Sequence, residues 1–252
     1  MLLIFKQKPL ILDCFTYVPH AYDFAKIDYA HKFIPQWWKN TPSFTGKDHA
    51  TIKHCQGFID YYKRGIILPA WFEMELNILE QGHPNVYTWV ASNADVSTGN
   101  SHYSEQFSGF AKQDAINIKL ESPWAIKTKE EVYFSWSEPT WNIRDLLFKL
   151  IVLPGVINFK YQHATNINLL AITNSVVKEL YIPPRTPLGI LHPLTERNIE
   201  IKTHLVTKED WLRVHGLNKL FFARNANDSI KLYKSKKRII DEISCPYTGK
   251  TK

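Results

Sequence analysis

Ile66-Ile-Leu-Pro-Ala-Trp-Phe-Glu-Met-Glu-Leu-Asn-Ile-Leu79 decides the fold class. Its first three residues are continuously apolar, Pro69 interrupts, and from there Phe72, Met74, Leu76 and Ile78 alternate with Glu73, Glu75 and Asn77. Successive side chains of an extended chain point to opposite faces, so a period of two predicts strand, broken at the proline. Glu73 and Glu75 then share one face. They form a candidate carboxylate pair or, more simply, the solvent side opposite the apolar row.

Outward from this stretch the same pattern repeats at short spacing. Strands are predicted at Val86–Val90, Ala115–Leu120, Trp124–Lys127, Val132–Trp136, Ile167–Ile172, Val177–Ile182, Leu188–Leu191 and Asn198–Leu205, with turn-rich connections at Asn93–Ser108 and Ser137–Arg144. Before it, Leu2–Phe5 and Leu10–Val18 read as edge strands beside Pro9 and Pro19. Apolar residues at helical spacing predict helices over Tyr22–Lys39, ended or kinked by Pro35, and over Thr51–Lys63, followed by the stop signal Gly65. Thr207-Lys-Glu-Asp210 is a helix-start signature, and a second C-terminal helix over Ser229–Ile243 places Ile230, Tyr233, Ile240 and Ile243 inward. The expected protein is mainly β, α+β overall, with a barrel-like or sandwich-like core, N-terminal helices and a C-terminal helical hairpin. Residues 1–65 supply strands and two packing helices, 66–206 the β-rich core, and 207–252 a basic helical segment, all in one compact domain.

The 252 residues are 44% apolar and 22% charged, ample for a buried core. The net charge of +7 is unevenly placed: residues 200–252 hold 12 basic against six acidic side chains, leaving the other 199 residues at +1. Apolar runs fall far short of the ~18–20 residues a membrane span needs, and the start lacks a secretory pattern. The expectation is a protein that is not secreted and does not enter a membrane, resident in the cytoplasm. Cys14, Cys55 and Cys245 are odd in number and scattered, which fits reduced thiols.

G-x-x-x-x-G-K-S/T, G-x-G-x-x-G, H-E-x-x-H and G-x-S-x-G are all absent. Triphosphate-driven motors, zinc peptidases and α/β-hydrolases therefore lose their anchors. No cofactor is required by the sequence, although a barrel would allow His102, His163, His192 and His204 to gather round a divalent metal with Asp95 or Glu196. Eight tryptophans offer broad amphipathic surfaces, and Trp37, Trp38 and Trp141 stand in proline-flanked loop contexts, which makes them the leading binding candidates. Lys234, Lys236, Lys237 and Arg238 form a basic run that would suit nucleic-acid phosphates or the solvated face of a helix.

Pro154-Gly-Val-Ile-Asn-Phe-Lys-Tyr161, the alternating Ile167–Ile172 and then Ile182-Pro-Pro-Arg-Thr-Pro-Leu-Gly-Ile-Leu191 resemble motifs of the dUTPase and dCTP deaminase superfamily. Gly155, Val156, Ile157 and Tyr161 fall on matching positions, which implies a β-clip core and draws attention to Asn158, Tyr161 and Arg185 as ligand contacts. Asn158 stands where that superfamily has its catalytic aspartate, and an amide cannot accept the proton of an attacking water. Cys55–Pro69, Ser122–Thr128, Pro154–Ile157 and Ile182–Arg197 also resemble an uncharacterised family of tailed bacteriophages. This implies a viral gene product, found in the host cytoplasm or in the virion. The expected function is a non-catalytic binding or structural component that engages a protein partner, or itself, through aromatic loops on a β core. The alternative is an enzyme or sensor holding a nucleotide or small metabolite in a β-barrel or β-clip pocket.

Overall fold

The computed structural model describes residues 7–46, 48–81, 83–91, 99–101, 115–142, 150–172 and 179–216. The predicted Leu2–Phe5 strand, most of the 93–108 connection and the second C-terminal helix lie outside them. Strands dominate, with short helices between them. In chain order the strands are β1 (Leu10–Thr16), β2 (Asp28–Tyr29), β3 (Phe44–Thr45), β4 (His49–Ala50), β5 (Ile66–Pro69), β6 (Met74–Gln81), β7 (His83–Ala91), β8 (Gly99–Ser101), β9 (Ala115–Leu120), β10 (Trp124–Lys127), β11 (Tyr133–Ser137), β12 (Leu150–Val152), β13 (Gly155–Asn158), β14 (Ile167–Ile172), β15 (Glu179–Ile182), β16 (Pro187–Pro193) and β17 (Ile199–Leu205). The helices are α1 (Pro19–Phe24), α2 (Gln36–Asn40), α3 (Gln56–Arg64) and α4 (Lys208–Gly216). Among the described residues no helix is long and apolar enough to cross a membrane.

The strands form several small sheets rather than one wide one: β10-β1-β17, β13-β11-β16-β5-β2, β12-β14-β9-β8, β15-β6-β7 and the hairpin β3-β4. The opening stretch behaves as its pattern requires. Ile66 to Pro69 makes β5, fully buried, and the alternating part from Met74 makes β6 in another sheet, so Pro69 and the residues after it are where the chain changes sheets.

β1 corrects one expectation. It is a central strand, antiparallel to β10 and parallel to β17, because Pro9 precedes the strand and leaves every ladder N–H of Leu10–Thr16 available. Leu10, Leu12 and Cys14 are buried on its core side. The helix predicted over Tyr22–Lys39 is corrected too. It is broken into α1, β2, a 3₁₀ turn at Ala30–Phe33 and α2. Tertiary pairing overrides helical spacing here: Asp28 and Tyr29 pair with Ile67 and Ile66, and the Tyr29 hydroxyl donates to the Ile199 carbonyl at 3.0 Å. The helix predicted over Thr51–Lys63 likewise divides at the extended Cys55 into a 3₁₀ turn, Ile52–His54, and α3. At α4 the cap reads as expected, since Thr207 Oγ1 accepts from the Asp210 N–H at 3.2 Å and donates to its carboxylate at 2.9 Å.

The five-stranded sheet has apolar material on both faces. One face, with Ile66, Leu68, Phe134 and Leu191, joins the main core around Trp71 and Trp124. The other face presents Ile67 and Ile190 to a second cluster of Ala30, Phe58 and Tyr62, so α3 and the segments before it form a layer over the β2-β5-β16 end. Gly65 fits that layer tightly: a Cβ there would lie 2.6 Å from Ile190 Cδ1 and 2.7 Å from the Tyr61 carbonyl oxygen. Only hydrogen lets the helix end and β5 begin so close to β16.

Candidate functional site: a tryptophan face on the five-stranded sheet

Phe58 is the hub. It projects from α3, is buried, and is met by Trp38 in a flat stack (5.3 Å, 9°), by Trp37 edge-on (5.9 Å, 73°), by Trp141 edge-on (5.1 Å, 66°) and by Tyr62 (4.9 Å). The three tryptophans singled out from the sequence therefore converge on one side chain. Trp37 and Trp38 come from α2, whose first turn is started by Pro35, and Trp141 from the 3₁₀ turn Thr140–Asn142 that follows β11. Trp37 Nε1 donates to the Trp141 carbonyl at 3.0 Å, joining segments 104 residues apart in sequence.

Hydrogen bonds hold the 3₁₀ turn in place. Asn142 Nδ2 donates to the Phe33 carbonyl at 2.7 Å while its Oδ1 accepts from the Tyr62 hydroxyl at 2.8 Å, and the Tyr61 hydroxyl donates to the Glu138 carbonyl at 3.2 Å. Burial, helped by the Glu138 charge, pushes the Tyr61 hydroxyl up to about 12, and burial pushes Tyr62 up as well, so both remain protonated donors. Lys53 lies with its ammonium 4.4 Å from the Trp38 ring centre and donates to the Lys39 carbonyl at 3.1 Å.

Trp37 and Trp141 remain 40% and 38% exposed, with ring centres 6.3 Å apart and planes tilted by 43°. Trp38 is more enclosed, between Phe58 and Lys53, and its Nε1 has no hydrogen-bond partner. The face thus has two rings open to solvent, a buried aromatic base and a cation at its margin. Such a surface is suited to contact by stacking and by excluding water.

The other sequence candidates lie elsewhere. Asn158 ends β13, at the opposite edge of the same sheet, and is 6% exposed. Its Oδ1 accepts from the Lys160 N–H at 3.0 Å, so the side chain shapes a turn. Tyr161, 1% exposed, donates to the carboxylate of the exposed Glu131 at 3.0 Å. Arg185 is exposed in the β15–β16 turn. His163 donates from Nδ1 to the Ile126 carbonyl, His192 from Nε2 to the Tyr61 carbonyl, and His204 pairs with Asp13 across β1 and β17, each at 3.0 Å. Each of these three histidines hydrogen-bonds a different residue, and among the described residues no three His, Cys, Asp or Glu side chains group as a metal site. His102 and the run Lys234, Lys236, Lys237 and Arg238 lie outside the described residues.

Sequence reasoning missed Phe58 as the hub and Asn142 as the clamp. Phe58 belongs to a plain apolar stripe, and nothing around Asn142 marks it as a contact. Compared with protein families, curated proteins and solved structures, the chain matches none.

Proposed function

We propose that the protein is a non-catalytic binding component and that its contact surface is the tryptophan face of Trp37, Trp141, Trp38 and Phe58. The single observation that carries this is the convergence of two distant proline-flanked segments on one buried aromatic, with two rings left open. Large exposed rings on a rigid base concentrate binding energy at low entropic cost. A viral setting, in the host cytoplasm or the virion, is part of the same proposal and rests on the phage-like phrases of the sequence. The β-clip reading of the core is also part of it; that reading rests on the dUTPase-like motifs of the sequence and is supported by the order β13, turn, β14.

Site-specific photocrosslinking in the cells that naturally make the protein tests the reading. A photoreactive residue at Asn40 or Ile59, bordering the face, is expected to trap a macromolecule. The same residue at Leu205, exposed on another sheet, is expected to trap none. Equal yields at all three positions would overturn the proposal.

A further inference from the structure

The elements that build the face are basic. Residues 33–64 carry Lys39, Lys47, Lys53, Lys63 and Arg64 against Asp48 and Asp60, a local excess of three basic side chains, where residues 1–199 together carry +1. Lys39 and Lys63 are exposed, and Lys53 is fixed beside Trp38. Arg64 is matched by Glu196 at 3.0 Å, and the β11–β12 connection bearing Trp141 is balanced in sequence, with Glu138 and Asp145 against Arg144 and Lys149. The rings divide into two kinds. Trp38 is stacked flat and capped by an ammonium, whereas Trp37 and Trp141 meet their aromatic neighbours edge-on or tilted and stay 40% and 38% exposed.

We infer that the partner of this face is a single-stranded nucleic acid, its bases stacking on Trp37 and Trp141 and its phosphates running past Lys39 and Lys53. The inference rests on the binding role proposed above and names the partner's chemistry. Charge selects among occupants: a cationic margin round open indole rings suits a flexible polyanion whose every monomer carries an aromatic face. A duplex hides those faces in its own stack, so it offers the rings nothing to bind.

Fluorescence anisotropy with the full chain and labelled (dT)20 in 50 mM NaCl tests it. Binding is expected, with a preference over duplex DNA of equal length. Trp37→Leu combined with Trp141→Leu keeps apolar bulk but removes both stacking surfaces, and should weaken affinity at least tenfold. Lys39→Glu, at an exposed site that folding tolerates, should weaken binding and reduce the slope of log K against log salt by about 0.7, one phosphate contact on a single strand. Replacing Lys236, Lys237 and Arg238 by Ala should leave most of the affinity. Absence of binding, equal binding of duplex, or affinity lost with the Lys236–Arg238 variant but unchanged in the Leu and Glu variants would each overturn the inference. Photocrosslinks from Asn40 or Ile59 to protein alone would also overturn it while leaving the binding role intact.

Discussion

Arg185 has a φ of 66°, the left-handed region that L side chains enter at a cost. It follows Pro183-Pro184 in a turn closed by the Thr186 N–H donating to the Pro183 carbonyl at 3.2 Å, which puts Pro184 and Arg185 at the two central positions. Proline then glycine is the preferred pair for a turn of this shape, so arginine here is held by its surroundings, among them its own N–H donating to the Ala70 carbonyl at 2.8 Å. Arg185→Gly should relieve the strain and, after the loss of chain entropy, leave stability unchanged or raised by up to about 1 kcal/mol. Arg185→Val, whose branched Cβ tolerates this φ least, should cost about 1–2 kcal/mol. Urea unfolding midpoints of the two variants give the comparison; a valine variant as stable as wild type would mean that the turn relaxes.

At the scale of elements, the face depends on how firmly the 3₁₀ turn at 140–142 is tied to α3. Asn142 bridges the Tyr62 hydroxyl and the Phe33 carbonyl, so removing either partner strands a polar group in a largely buried setting. Asn142→Ala is expected to cost about 1–3 kcal/mol and Tyr62→Phe about 1 kcal/mol. The double variant should cost less than the sum, with a coupling of about 0.5–1.5 kcal/mol in a double-mutant cycle. Strict additivity would show that the bond contributes nothing. The elements themselves were unevenly legible. β9, β10 and β14 begin and end where alternation and flanking polar residues place them. Residues 22–39 were not, because whether Tyr29 belongs to a helix or a strand is settled by Ile66, Ile199 and Ile201, which are distant in sequence. Trp37, Trp38 and Trp141 could be picked out by their neighbours, but their meeting on Phe58 follows from strand order in a five-stranded sheet, which no local pattern encodes.

For the molecule as a whole, the seam between the aromatic layer and the sheet beneath it carries a titratable contact, where His192 of β16 meets Tyr61 of α3. The rings lie 4.8 Å apart, and Nε2–H donates to the Tyr61 carbonyl at 3.0 Å. Burial lowers the His192 pKa below 6.5, the Tyr61 hydrogen bond acts the other way, and the nearby Arg64 charge adds to the lowering. The unfolded chain therefore takes up this proton before the folded one does. Above pH 6.5 both states hold a neutral ring and this group leaves stability untouched. As pH falls below 6.5 the unfolded state is protonated first, and stability declines until the folded pKa is passed. Glu138 opposes this at lower pH, because burial raises its carboxyl above 4.5 and protonation relieves that penalty. The His192 effect is therefore to be read just below pH 6.5, as a difference from His192→Gln, whose amide keeps an N–H for the Tyr61 carbonyl but cannot titrate. Thermal unfolding at pH 7.5 and pH 5.5 should show a larger drop in Tm for the wild type than for the variant. With the seam loosened, the tryptophan fluorescence of the wild type should also become more accessible to acrylamide at the lower pH. Equal drops in the two proteins would place the acid sensitivity elsewhere and leave His192 a neutral packing residue throughout.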